Sequence, residues 1–177
     1  MPKIRSSNPL ITHSTRVMQK VYLPRILSCL ERLSPAHIWW RPNEASNSVG
    51  NLTLHLAGNV RQWLISGLGG AEDHRDRDSE FSERGPLPRR VLASRIRKSV
   101  EGACRVLHKL APEDLGRDYP IQGFRVAGSE AVFHVAEHFS HHAGQIILLT
   151  KMLTARDQKF THLPGDRKKK GPKLPAL

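Results

Sequence analysis

Apolar residues recur at spacings of three and four positions in four stretches of the chain, which is the periodicity of helices with one buried face. The predicted helices cover residues 10–33, about 47–68, 87–110 and 129–153. Pro24 should kink or restart the first of them, because proline lacks an N–H group and clashes with the preceding turn. No long stretch alternates like a strand, so the pattern predicts an all-α four-helix bundle.

The connections after the second and third helices are long, at residues 71–86 and 112–125, and both are predicted to be loops. Connections of this length mean that the bundle need not be a simple up-down-up-down one. The bundle domain is predicted to end at residue 155. Residues 156–177 contain seven lysines and arginines against two aspartates, and we expect a basic, disordered tail there.

The composition narrows the class of protein. The sequence contains no run of about 18 apolar residues, so a membrane span is not expected. The polar N-terminus lacks the apolar core of a secretion signal. Cys29 and Cys104 lie in apolar helical stretches and form no CxxC pair, which is typical of reduced core thiols in a cytoplasmic protein. The net charge of +12 shows no stripe of basic and aromatic residues outside the tail, so specific nucleic-acid binding is not expected.

The fourth helix carries four histidines, and their positions around the helix separate them. His138 and His142 lie at the edge of the apolar face, whereas His134 and His141 are predicted to point outward. The spacing of four residues puts the rings of His138 and His142 on one side of the helix, one turn apart. Two imidazoles placed in this way can hold one metal ion.

A third ligand should come from a facing helix, and His55 at the edge of the second helix is the candidate. A single inward histidine is more often a core residue than a ligand, so His55 counts only together with the pair on the fourth helix. Three histidines leave an open coordination position, which is the pattern of catalytic sites. Asn59 and Gln145 lie one turn from these ligands, where they could orient a nucleophile or a ligating ring. No carboxylate is positioned as a general base, because Glu137 is predicted to point outward, and this favours activation of a thiol over activation of water.

Six strings in this order carry a family likeness: YLPRI (residues 22–26), WWRPN (39–43), SNSVGN (46–51), HLAGN (55–59), RQW (61–63) and EHFSHHAGQ (137–145). Over residues 15–153 the chain resembles the DinB/YfiT-like superfamily, and most closely an uncharacterised bacterial branch of it. The resemblance implies a four-helix bundle with a ligand cleft at one end, often dimeric. It also implies zinc or nickel bound by three histidines, whose positions correspond to His55, His138 and His142.

Relatives in that superfamily include transferases and isomerases that use small cytosolic thiols such as bacillithiol or mycothiol. A metal ion on the three histidines would lower the pKa of a bound thiol or water, so we expect a metal-dependent enzyme of thiol-transferase or hydrolytic type that acts on a small molecule. The resemblance also implies a homodimer. A non-catalytic module that binds a metal or a small ligand remains the alternative, since a fold alone does not fix an activity.

Overall fold

The computed structural model of the chain describes residues 8–85 and 87–160, and four long helical rods make up most of this part. The first rod runs from α1 (Pro9–Arg16) through a π-helical segment (Val17–Tyr22) into α2 (Leu23–Arg32). The second consists of α4 (Val49–Val60) and a π-helical continuation (Arg61–Leu68). The third rod is α6 (Arg89–Leu107), and the fourth is α7 (Gly128–Thr154). The all-α bundle is confirmed.

Pro24 restarts the first helix, as predicted, without breaking it. The preceding turns widen into the π-helical segment, and regular α-helix begins again at Leu23, with Pro24 in the first turn of α2. The backbone stays helical through Tyr22 and Leu23, so Pro24 does not stand at a free helix start. In a regular turn its ring would clash with the preceding carbonyl, and the wider π-helical turns make room for it. The rod can therefore continue past the proline.

The connections hold more structure than the sequence indicated. The first contains the short α3 (Pro35–Trp39) and the second contains α5 (Arg77–Ser82). The third was predicted to be a loop, but it forms a 3-10 turn (Pro112–Leu115) and an antiparallel hairpin of β1 (Asp118–Ile121) and β2 (Phe124–Ala127). Gln122 and Gly123 between the strands both have positive φ, 53° and 80°, which suits a tight two-residue hairpin turn. Strands of four residues are too short for alternation to reveal them in a sequence.

The packing order of the rods differs from their order along the chain. The first rod packs against α6 and α7, and α4 also packs against α6 and α7. Rods one and two are consecutive in the chain but lie diagonally across the bundle from each other. Rods three and four form the other diagonal pair. The core between the rods is apolar, and its largest fully buried side chains are Phe139, Met18, Ile26, Leu30, Leu33, Ile38, Leu56, Leu64, Leu92, Ile96, Leu107 and Ile146.

The chain after α7 packs back onto the first rod as far as the structure describes it. The side chain of Gln158 is buried and accepts a hydrogen bond of 2.7 Å from Arg32. Arg25 donates to the carbonyl of Phe160 over 3.2 Å. Most of the predicted basic tail, residues 161–177, lies outside the described residues, so the domain boundary at residue 155 stays a prediction.

Among the described helices, none combines the length and the apolar character that crossing a bilayer requires.

Candidate metal centre

His55 owes its place to the start of α4. Ser48 caps this helix by accepting from the backbone N–H of Asn51, and the Asn51 side chain accepts in turn from the backbone N–H of Ser48. This reciprocal pair satisfies two N–H groups that a helix start leaves free. The helix therefore begins at a fixed residue, and His55 faces α7 with only 5% of its surface exposed.

The rings of His55, His138 and His142 converge between α4 and α7. One nitrogen of each ring belongs to a cluster whose members all lie within 4.8 Å of one another. The Nε2 atoms of His55 and His138 are 2.9 Å apart. The centroid of the His142 ring lies 5.0 Å from that of His55 and 4.4 Å from that of His138.

This donor set fits a divalent ion. Zinc binds imidazole nitrogen at about 2.0–2.1 Å, so two nitrogens on a tetrahedral ion are about 3.3 Å apart. The observed separations, from 2.9 Å to at most 4.8 Å, bracket that value. Small rotations of the three rings would bring them to one ion. The three histidines predicted from the sequence are thus the three that the fold brings together.

Glu80 fixes the orientation of the His55 ring from behind. Its Oε2 atom lies 3.0 Å from His55 Nδ1 and can accept the proton of that nitrogen. A ring that donates from Nδ1 leaves its Nε2 lone pair free for a metal ion, which is the carboxylate–histidine arrangement common around metal ligands. Without an ion, the two facing Nε2 atoms of His55 and His138 must share a proton, because two lone pairs repel at 2.9 Å.

Arg75 holds Glu80 in turn. The guanidinium makes two bonds of 2.8 Å to the carboxylate, from Nε to Oε1 and from Nη2 to Oε2, and Nη1 donates to Gln62 over 2.8 Å. Burial by itself raises the pKa of Glu80, but the hydrogen bonds from Arg75 and His55 outweigh it and hold the pKa below its usual value. Glu80 is therefore ionised near neutral pH, and its charge favours a cation on the other side of His55.

The backbone around Glu80 is anchored by the same residue that caps α4. Asn51 donates to the carbonyls of Glu80 and Glu83, each over 2.9 Å. Gly58, one turn after His55, leaves room for the carboxylate, because a Cβ atom there would collide with Glu80 Oε1. The connection that carries Glu80 is thus fastened to the helix that carries His55.

The pKa values of the other two ligands favour neutral rings. Burial, followed by the charges of His142 and His55, lowers the pKa of His138 to about 3. Burial also lowers the pKa of His142, to about 4, although the hydrogen bond with Gln145 opposes that shift. Both rings are neutral at pH 7, which is the form that binds metal ions.

Gln145 and Asn59, the two polar residues predicted near the site, are both close to it. The Gln145 Oε1 atom accepts from His142 Nδ1 over 2.6 Å, which leaves the other nitrogen of that ring free. Asn59 is 3% exposed and its Nδ2 atom lies 3.4 Å from His134 Nε2. The Asn59 Oδ1 atom is buried and has no hydrogen-bond partner among the described residues.

The prediction that His134 points outward is wrong, whereas His141 is exposed as predicted. The His134 ring is half-buried and stacks on Trp63 with 3.9 Å between the ring centroids. It also lies parallel to the His138 ring, 5.3 Å away. The continuation of α4 covers a wider arc of α7 than the apolar stripe indicates, so a residue on the polar side becomes part of the site.

Sequence reasoning missed the supports of the site. Arg75 and Glu80 belong to a polar connection in which seven consecutive residues, 72–78, are ionisable, and nothing in that string distinguishes the buried charges from the solvated ones. Phe81, from the same connection, packs its ring 4.6 Å from the His55 ring. A carboxylate is therefore present at the site, although none was predicted there.

The sequence matches one described protein family. The sequence pattern of a family described as "Protein of unknown function (DUF1572)" matches residues 10–167. The chain belongs to this family. No protein of curated function matches it.

Two crystal structures of DinB-like proteins share the fold. The one from Bacillus subtilis is 20% identical, has a TM-score of 0.61, and is matched over 85% of this chain and 94% of its own. The one from Bacillus cereus ATCC 10987 is 17% identical, has a TM-score of 0.58, and is matched over 75% of this chain and 85% of its own. The chain thus has a DinB-like fold, and its histidine cluster fits a metal-binding DinB-like protein.

Proposed function

We propose that this protein is a metal-dependent enzyme of thiol-transferase or hydrolytic type that acts on a small molecule. The observation that carries the proposal is the convergence of three ring nitrogens within 4.8 Å, with a buried carboxylate behind one ring. Zinc or nickel is the proposed ion, since imidazole ligands suit both. When bound, the ion would lower the pKa of a thiol or of water and so supply a nucleophile near neutral pH.

The residues of the chain orient the ligands and exclude water from one side. Glu80 holds His55, and Gln145 holds His142, each at the ring nitrogen that faces away from the cluster. The Trp63 indole and the His134 ring form a stacked wall beside His138. The unpaired Oδ1 atom of Asn59 supports a role in accepting a hydrogen bond from a bound molecule, since a buried oxygen without a partner is unfavourable.

A thiol is the preferred nucleophile. A metal ion can deprotonate bound water by itself, but a nearby base that is free to accept a proton assists the attack of water. Glu80 is the carboxylate at this centre, and both of its oxygens are bound by Arg75. A thiol has a much lower pKa than water before it binds, so the ion alone deprotonates it more completely and a separate base matters less. We propose a low-molecular-weight thiol as the co-substrate.

The test uses full-length protein purified without a histidine tag. Metal content is measured first, and turnover of small electrophiles is then followed with a panel of low-molecular-weight thiols and with water alone. We expect thiol-dependent turnover that a chelator abolishes and that zinc or nickel restores. Activity that survives complete metal removal would overturn the proposal. A bound ion with four protein ligands and no turnover would favour the non-catalytic binding module instead.

We further propose a cytoplasmic homodimer. Both cysteines are buried free thiols, in keeping with a reducing compartment. Phe133, Leu148 and Met152 expose about 60% of their surface along one side of α7, and Gly144 lies between them. Apolar side chains in a row on an exposed helix suit a contact with a second copy. His141 lies on the same side, so the contact would border the metal centre.

A further inference from the structure

A second cleft opens on the opposite side of the Arg75–Glu80 pair from the metal centre. It has a volume of about 610 Å³ and lies between α4, α6 and the connection that carries α5. Cavities of about 300–1,000 Å³ are typical of small-molecule sites. Its apolar lining comes from Leu54, Ala57, Ile65 and Leu87, while Arg61, Arg95 and Lys98 line it with positive charge.

The charged side chains on the rim of the cleft differ in how many hydrogen-bond partners they have. Arg95 and Lys98 are exposed, one turn apart on α6, and neither makes a hydrogen bond or an ion pair with any described residue. Within residues 8–85 and 87–160, the one group to which Arg61 donates is the neutral carbonyl of Glu72. The two carboxylates on the rim accept hydrogen bonds from backbone N–H groups instead of pairing with these cations. Asp76 caps α5, and Glu83 accepts from the N–H groups of residues 84 and 85.

The Arg75–Glu80 ion pair forms the back wall of the cleft. The side chains of Arg75 and Glu80 are 3% and 8% exposed and are locked to each other by two hydrogen bonds. Gly58 adds no side chain in front of them. The cleft is therefore a partly apolar pocket with three cations in its lining that make no ion pair with any described carboxylate.

We propose that this cleft binds a small amphipathic organic anion, with its carboxylate or phosphate on Arg61, Arg95 and Lys98 and its apolar body against Leu54 and Ile65. The three unpaired cations outnumber the two carboxylates of the lining that are in no ion pair with a described residue, Asp76 and Glu83, and so favour an anion. The apolar part of the lining favours a hydrocarbon or aromatic body over an inorganic ion. The site is separate from the histidine cluster, so this binding does not depend on the metal or on the proposed reaction.

The experiment uses full-length protein and the fluorescent aromatic sulfonate 8-anilinonaphthalene-1-sulfonate as the probe. We expect Arg95→Ser with Lys98→Ser to weaken its binding about tenfold or more, since charge-assisted hydrogen bonds are lost. Arg90→Ser with Arg97→Ser is the matched control, because it removes the same charge from exposed positions of α6 that do not line the cleft. This control should change the affinity less than about twofold, as expected of charges outside the site.

Two further measurements separate the cleft from other sites. Ser99→Trp fills the cleft but keeps its charges, and it should also abolish probe binding. Hexanoate should displace the probe at lower concentration than hexan-1-ol does, and a chelator or His138→Ala should leave probe affinity unchanged. Equal effects of the two double variants, equal displacement by the acid and the alcohol, or loss of binding with the chelator would each overturn the proposal.

Discussion

At the scale of single residues, the three histidines of the cluster differ in their burial and in the side chains that hydrogen-bond to their rings. His55 is almost completely buried and is fixed by a charged carboxylate, whereas His142 is fixed by the neutral amide of the exposed Gln145. The nitrogens of His134 and His141 are not part of the cluster. Ligand identity therefore follows from ring position rather than from the number of histidines on α7.

We predict that His55→Ala, His138→Ala and His142→Ala each lower metal occupancy strongly, because two remaining ligands cannot fix the geometry of an ion. His141→Ala is the matched control on the same helix and should keep the metal. His134→Ala should also keep it, although it removes the stacking on Trp63. The measurement is metal content per chain at fixed pH, with circular dichroism as a check of folding. Loss of metal from His141→Ala with retention by His142→Ala would show that the ligand assignment is wrong.

The depressed pKa values of His138 and His142 predict acid sensitivity of the metal-free protein. Their folded pKa values, about 3 and about 4, lie below the unfolded value near 6.5. Below about pH 6.5 the unfolded chain therefore binds more protons than the folded chain does. The stabilisation that the two neutral rings contribute to folding is fully present above about pH 6.5. It is lost progressively as the pH falls toward their folded pKa values.

The measurement is Tm in excess chelator between pH 7.5 and 5. We expect Tm to fall with pH, and to fall less steeply in the double variant His138→Gln with His142→Gln. His108→Gln is the control, because His108 is exposed and distant from the cluster in sequence. A Tm that is constant down to pH 5, or an unchanged slope in the double variant, would contradict the assignment of these rings as buried and neutral.

At the scale of elements, the connection between the second rod and α6 serves both the fold and the site. The two rods are direct neighbours and run parallel, since the C-terminal part of one faces the C-terminal part of the other. The chain must therefore return over the length of the rods before α6 begins, which a connection of a few residues cannot do. This returning connection also brings Arg75, Glu80 and Phe81 to His55.

We predict that Glu80→Gln lowers metal affinity about 10- to 100-fold, the usual effect of losing a carboxylate behind a histidine ligand. The variant also leaves the buried Arg75 guanidinium unpaired, so stability should fall by about 3–5 kcal/mol. Glu83→Gln is the control from the same connection, since its carboxylate does not contact His55. Metal titration of folded protein measures the affinity, and wild-type affinity in Glu80→Gln would rule out a role for this carboxylate in orienting His55.

At the scale of the whole molecule, the exposed face of α7 predicts the oligomeric state. Phe133→Asp with Leu148→Asp should convert the proposed dimer to a monomer, because buried carboxylates without partners oppose association. Phe124→Asp on the hairpin is the control, since Phe124 is 62% exposed but lies outside that face. Sedimentation equilibrium gives the mass. A wild-type monomer, or a dimer that persists in the double variant, would contradict the proposal.

The basic composition of residues 161–177 predicts a weak affinity for polyanions that is separate from the metal centre. Residues 161–177 hold five lysines and arginines against one aspartate, a third of the net charge of the chain. Removal of these residues, with Phe160 kept in its contacts with Arg25 and Arg32, should abolish retention on immobilised RNA and leave Tm unchanged. Such retention should weaken steeply with salt. Tight, sequence-selective binding by the truncated chain would refute this interpretation of the charge.

The sequence by itself determined the four helices and the pair His138 and His142, since helical periodicity acts over a few residues. His55 was also found, because it lies at the edge of an apolar face. The tertiary structure alone decided that His134 stacks on Trp63 and that Glu80 and Arg75 support His55. These contacts join residues that are far apart in sequence or lie on an irregular connection, where no periodic pattern shows which polar side chains become buried.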